Sequence, residues 1–164
     1  MSLRILHVED NPFDADLTLR QLKCQTADIT VEQTVNLAEA RHKLATPENY
    51  DLVLADLKLP DGNGLELLAE IRQRQLPLAV VMLTGSGDQE AAIAALKAGA
   101  DDYLTKGGAG DQQLGSVLQG ALERFRAVNR RWSQPLRVLY AEHNVADIDL
   151  ARRHLARHAP HIQM

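Results

Sequence analysis

Five short apolar runs alternate with five stretches of helical periodicity over residues 3 to 130. The runs are "LRILHV" from Leu3, "ITVEQTV" from Ile29, "DLVLA" from Asp51, "LAVVML" from Leu78 and "DDYL" from Asp101. Strict alternation of this kind predicts an α/β fold: a five-stranded parallel sheet with helices on both faces. "DLVLA" and "LAVVML" are continuously apolar, as strands covered on both faces are. "ITVEQTV" alternates apolar with polar residues, as a half-covered or edge strand does. Helix signals fall between the runs. Asn11 precedes Pro12, Asn36 stands three residues before Glu39, Asp88 precedes "QEAAIAALKAG", and Gly99 follows that pattern. From Asp111, apolar residues through Leu114, Leu118, Leu122 and Phe125 recur at helical spacing.

Composition narrows the function classes. The net charge of -4 over 164 residues argues against a general nucleic-acid or membrane surface, since either needs a basic face. Cys24 is the single cysteine, so no disulfide can form within the chain, and the cytoplasm is the expected compartment. No apolar run approaches the roughly 18 residues of a membrane span. The segment "MSLRILHVED" carries acids where a signal peptide would continue its apolar core.

In an open parallel sheet, ligands bind at the carboxyl ends of the strands. Here those ends carry Glu9 and Asp10, then Asp56, then Thr84, with Lys106 following the fifth run. The topology gathers three carboxylates, a hydroxyl and an ammonium in one cleft. Carboxylates so placed repel one another unless a cation neutralises them. A hard divalent ion such as Mg²⁺ does so with one or two carboxylates plus water and phosphate. Asp56 is then a candidate nucleophile toward phosphorus, with the metal and Lys106 neutralising charge on the transferring oxygens. Thr84 offers a hydroxyl to a phosphoryl oxygen, and Gly62 and Gly64 allow a sharp turn behind Asp56. Each residue alone has a plainer reading. Asp10 is then a cap, Asp51 and Asp61 turn residues, Lys106 a solvated lysine, Tyr103 half-buried packing. The six histidines and Cys24 show no ligand spacing. Five polar residues at the correct strand ends, in order, favour the joint reading.

The stretches "LHVEDN", "VLADLKLPDGNGLELL", "VVMLTGSGD" and "AGADDYLTK" together resemble the receiver domains of two-component response regulators. The resemblance implies a doubly wound, flavodoxin-like sheet of strand order 2-1-3-4-5. It implies that Asp56 accepts phosphate from a histidine kinase or a phosphotransfer histidine. It implies Mg²⁺ held by Glu9, Asp10, Asp56 and the Lys58 backbone carbonyl, and a phosphorylated state read by Thr84, Tyr103 and Lys106. The protein is then expected to be a regulatory phosphoacceptor rather than an enzyme, with only self-catalysed aspartyl phosphorylation and dephosphorylation. One departure is Gly107-Gly108 after Lys106, where the family usually has proline, often after a cis peptide bond. A phosphatase of the haloacid-dehalogenase type would carry an acid two residues after its nucleophile, where this chain has Lys58. A flavodoxin-like cofactor binder needs a phosphate-cradling first loop, and Glu9-Asp10 would repel phosphate. A pseudo-receiver would lack the complete set of five residues.

Residues 136–164 repeat residues 3–31 at an offset of 133, with 11 of 29 positions identical, among them Glu9/Glu142, Asn11/Asn144, Asp14/Asp147 and Asp16/Asp149. This reads as the first strand and helix of a second, truncated receiver-like unit, with His143 where Asp10 stands. The expected organisation is a receiver at 3–130, a junction at 131–135 and the partial repeat from 136. A lone strand and helix cannot bury Leu136, Val138, Leu139, Leu150 and Leu155, so a homodimer through 111–164 is one expected means of covering them. No output motif is visible, and direct nucleic-acid binding is not expected.

Overall fold

A computed structural model of the chain describes residues 3–25, 28–85, 89–107, 114–133, 136–137, 145–158 and 162–163. The chain divides into two compact units, residues 1–125 and 126–164.

In the first unit the alternation holds. The elements are β1 (Leu3–Val8), α1 (Pro12–Gln25), β2 (Ile29–Thr34), α2 (Leu37–Lys43) and β3 (Leu52–Asp56). A two-residue pair, β4 (Lys58–Leu59) and β5 (Gly62–Asn63), comes next, then α3 (Gly64–Gln73), β6 (Ala79–Thr84), α4 (Gln89–Lys97), β7 (Asp102–Thr105) and α5, which starts at Leu114. The five long strands form one parallel sheet ordered β2-β1-β3-β6-β7. Once the antiparallel β4-β5 pair is set aside, this is the expected 2-1-3-4-5 order. The turn behind Asp56 is thus a small hairpin.

The period-two alternation of the strands splits the core into two layers. Leu6, Val8, Val53, Val80 and Met82 face Leu37, Leu67, Leu68 and Ile71 of α2 and α3. Ile5, Leu52, Leu54, Val81 and Leu104 pack with Leu22 of α1 and with Leu114, Leu118 and Ala121 of α5. Every residue of β3 and β6 is buried, which accounts for their unbroken apolar runs, whereas β2 is half covered.

The asparagine caps work as their spacing suggests, with one shift. Asn11 accepts from the Phe13 N–H at 3.0 Å, and Asn36 accepts from the Glu39 N–H at 2.8 Å. Glu39 reaches back to the Val35 N–H (3.2 Å), one residue short of a reciprocal capping box. A full box forms instead at Asn63 and Glu66, at the start of α3. Asp88, the expected cap of α4, lies outside the described residues. Asp51 and Asp61 do more than turn the chain. Asp51 Oδ2 accepts from the Arg4 N–H at 3.0 Å, and Asp61 accepts from the N–H groups of Leu37 and Ala38 at 2.8 and 2.9 Å, tying the hairpin to α2.

Helix α5 runs from Leu114 to Ser133, so residues 131–133, read from sequence as part of the junction, are helical. In the second unit, β8 (Leu136–Arg137), α6 (Val145–His158) and β9 (Ile162–Gln163) follow. Adding the offset of 133 to β1, α1 and β2 lands on their starts: 3 becomes 136, 12 becomes 145 and 29 becomes 162. The register repeats as well, since Leu3 pairs with Ile29 and Leu136 with Ile162, both in parallel. Of the apolar residues expected to need cover, Leu150 is exposed, and the side chains of Leu136, Val138, Leu139 and Leu155 lie outside those described. Among the described residues no helix is long and apolar enough to cross a membrane.

Candidate functional site

Sheet register builds the site. Leu6 to Val8 pair with Val53 to Ala55, so the next step along β1 and β3 places Glu9 beside Asp56. Asp56 pairs with Leu83 and Thr84 with Thr105, and the Lys106 N–H donates to the Thr84 carbonyl at 2.8 Å. The carboxyl edge therefore gathers residues separated by up to about 100 positions, because parallel strands end on the same side.

Glu9, Asp10 and Asp56 present carboxylate oxygens that all lie within 4.8 Å of one another, two of the side chains buried and Asp10 exposed. Lys106 stands among acids. Its ammonium lies 2.5 Å from Glu9 Oε2, 2.7 Å from Asp56 Oδ2 and 3.1 Å from Asp14 Oδ2. Burial would lower the pKa of Lys106, but the hydrogen bonds to Asp56, Glu9 and Asp14 outweigh it and hold the pKa above its ordinary value. Burial pushes the Glu9 carboxyl up, against the pull of the Lys106 ammonium and the Asn11 N–H. Glu9 Oε1 accepts from that N–H at 3.1 Å. The Lys58 N–H reaches Asp56 Oδ1 at 3.3 Å.

The oxygen-only donor set, crowded with negative charge and open on the Asp10 side, fits a hard divalent cation with retained waters. Glu9, Asp10 and Asp56 are the residues to hold it.

The described side-chain hydrogen bond of Thr84 is to a neighbouring strand and not to this cluster. Thr84 is buried, and its hydroxyl donates to the Leu104 carbonyl at 3.3 Å. Tyr103 lies on the edge strand and is exposed. After Lys106 the chain turns at Gly107, whose φ of 72° is left-handed, and no cis peptide bond occurs among the described residues. The residue that commonly is proline in this position is here one that adopts positive φ freely.

Gly64 has a steric reason. A Cβ built there would sit 2.1 Å from the Asp56 carbonyl oxygen. The backbone that carries the site carboxylate is thus pressed against the start of α3.

Two site neighbours escaped the sequence reading. Asp14 lies four residues after Asp10 on the first turn of α1, a spacing that brings it back over the strand end. The continuity of an acid at Asp14 and Asp147 in the repeat was the available signal. His7 lies two residues before Glu9, on the same face of β1, fully buried, with both ring nitrogens unpartnered among the described residues. Burial, helped by the Lys106 charge, lowers its pKa to about 4. A histidine within an apolar run carries no spacing signal for this. Beside Lys106 a cavity of about 210 Å³ opens, lined by Asp14, Leu17, Thr18, Leu104 and Leu114 among others.

A doubly wound sheet with an acidic pocket and a lysine at its carboxyl edge is the frame against which known proteins compare. The family model for the response regulator receiver domain matches residues 5–118. The chain is 43% identical over 106 residues to the response regulator protein PilR of Pseudomonas aeruginosa, covering 63% of this chain and 22% of that one. It is 35% identical over 117 residues to the nitrate/nitrite response regulator protein NarL of Escherichia coli, covering 71% of this chain and 54% of that one. A crystal structure of a response regulator receiver domain protein from Clostridium thermocellum superposes with a TM-score of 0.67 at 28% identity, covering 77% of this chain and 98% of that one. The chain belongs to the response regulator receiver domain family of two-component systems. It spans about a fifth of PilR (22%) and about half of NarL (54%).

Proposed function

We propose that this receiver takes a phosphoryl group onto Asp56 from a histidine kinase or phosphotransfer histidine, in a Mg²⁺-dependent reaction, and passes the change to an output outside residues 1–164. The observation that carries this reading is the shared hold of Lys106 on Glu9 and Asp56, within an acid cluster suited to Mg²⁺. An Asp56 oxygen attacks phosphorus, the P–N bond of the donor breaks, and its electron pair returns to the donor imidazole. Bound Mg²⁺ supplies charge neutralisation for the phosphoryl oxygens. Lys106 supplies a second positive charge, already within hydrogen-bond reach of Asp56. The side chain two positions after Asp56 is Lys58, exposed and without acid character, which supports a regulator that self-dephosphorylates over an enzyme acting on external phosphoesters.

The Thr84 hydroxyl now bonds the Leu104 carbonyl, so drawing it toward a phosphoryl oxygen breaks a link between β6 and β7. The exposed Tyr103 side chain lies on that edge strand and is free to follow. With acetyl phosphate and Mg²⁺, mass spectrometry should show one phosphoryl increment that hydroxylamine removes and that Asp56→Ala lacks. Beryllofluoride should shift amide signals from Thr84 to Lys106 and spare Ile29 to Thr34. An unchanged label in Asp56→Ala, or shifts spread evenly over both regions, would overturn this reading.

The matched boundaries and register of β8, α6 and β9 support a second receiver-type unit beginning at Leu136. A second copy of the chain is a fitting cover for its apolar side chains, with Val128 and Leu150 exposed. Light scattering should then report a dimer for the full chain and a monomer for a version ending at Ser133. Two monomers would remove the dimer from the reading.

A further inference from the structure

We propose that Asp14 is a tether for Lys106: it holds the ammonium back from a phosphoryl group on Asp56 and so weakens the phosphorylated state. The inference rests on the functional reading above. A lysine ammonium has three N–H donors. Three carboxylates surround Lys106: its ammonium donates to Asp56 and Asp14 and lies in ion-pair contact with Glu9. Glu9 and Asp56 belong to the acid cluster that fits the metal, and Asp56 carries the group to be modified. Asp14 belongs to neither role. It projects from the first turn of α1, and its side chain is 38% exposed, against 1% for Glu9 and 12% for Asp56.

Once phosphoryl oxygens appear on Asp56, Lys106 has to redirect a donor toward them. Glu9 is one of the residues that would hold the metal. Asp14, outside the metal set, keeps its claim on the ammonium. A cavity lined in part by Asp14 and Lys106 opens beside the ammonium, on the Asp14 side of the cluster. The Asp14 carboxylate also adds one more negative charge near the entry of an anionic phosphoryl donor. Both effects act in the same direction. Removing the charge should strengthen the hold on a phosphoryl group, by roughly the worth of a half-exposed ion pair, on the order of threefold in affinity.

An acid in the first turn of a helix also favours the helix dipole, and that structural role alone would move stability and leave phosphoryl binding unchanged. Asp16 separates the two. It lies two residues further along α1, pairs with Arg20 at 2.7 Å on the surface, and makes no described contact with Lys106. The experiment titrates beryllofluoride, formed from beryllium and fluoride at saturating Mg²⁺, into wild-type chain and variants, following amide signals. Asp14→Asn should bind about threefold more tightly, Asp14→Glu should match wild type, and Asp16→Asn should stay unchanged. Asp14→Ser, a second neutral variant with a side chain suited to a helix start, should repeat the gain if Asp14→Asn folds poorly. An unchanged or weakened Asp14→Asn, or an equal gain in Asp16→Asn, overturns the tether while wild-type binding leaves the functional reading standing. Wild-type chain that takes no beryllofluoride overturns that reading and the tether with it.

Discussion

Replacing Gly64 with alanine is expected to cost about 3 kcal/mol of folding stability and to displace Asp56. The added Cβ would lie 2.1 Å from the Asp56 carbonyl oxygen, 3.1 Å from its carbonyl carbon and 2.9 Å from Met82 Cε. Met82 has a flexible end that can yield, but the Asp56 carbonyl is backbone at the end of a buried central strand. It cannot move without dragging the register of β3 against β6, where Asp56 faces Leu83. The Gly64 N–H also donates to the Leu57 carbonyl at 2.9 Å, so the start of α3 is fixed to the same segment. Either the helix backs away and Asn63 loses its cap geometry, or the strand end shifts and the carboxylate leaves Lys106. Urea unfolding should show a lower midpoint, and beryllofluoride affinity should fall with it. Gly120→Ala in α5 is the contrast. Its Cβ would meet one side-chain atom, Arg124 Nη1 at 3.2 Å, on a guanidinium that also bonds Asp102 and has to give by a few tenths of an ångström; with that small shift, a helical glycine replaced by alanine gains about 0.5–1 kcal/mol. If both substitutions cost the same, close approach to Asp56 is not what requires glycine at position 64.

Gly64 also marks the border between what the sequence disclosed and what it withheld. Its presence behind Asp56 suggested a turn, but the contact with the Asp56 carbonyl depends on how α3 returns over the sheet. The sheet itself was legible because strands buried on both faces must be continuously apolar, as β3 and β6 are. The acidic cluster was legible because parallel strands deliver their last residues to one edge, so Glu9, Asp56 and Lys106 could be placed together without any distance being known. Side-chain direction off a helix is a different matter. Asp14 reaches Lys106 across 92 positions of chain, and only the docking angle of α1 decides whether that carboxylate points at the site or at solvent. The hairpin link from Asp61 to α2 was hidden for the same reason. Polar residues in loops find partners on elements distant in sequence, and composition does not name the partner.

His7 shows this most sharply, and it sets the expected pH dependence of stability. Its imidazole is fully buried on β1, opposite Leu54 of β3, two residues before Glu9 on one strand and level with the approach to Asp56 on the other. Desolvation and the Lys106 charge lower its pKa from 6.5 to about 4, while Asp56 pulls weakly the other way. A depressed folded-state pKa means that the unfolded chain takes up the proton first. The stability that neutral His7 allows is whole above about pH 6.5 and is lost as pH falls toward 4. At about 1.4 kcal/mol per pH unit, the full interval is worth roughly 3 kcal/mol. Glu9 acts with the opposite sign, because its carboxyl is raised by burial and the folded state therefore holds that proton more tightly than the unfolded chain. The net slope of the wild-type chain is thus the His7 loss reduced by a Glu9 gain, and the His7 share appears only by difference. Urea unfolding free energies without Mg²⁺, measured from pH 7 down to 4 for wild type and His7→Leu, should diverge by up to about 3 kcal/mol in favour of the variant as pH falls. Leucine also replaces two unpartnered ring nitrogens with apolar surface, so the variant should be no less stable than wild type at pH 7. Parallel curves for the two proteins across that range would mean that His7 does not hold itself neutral in the folded chain.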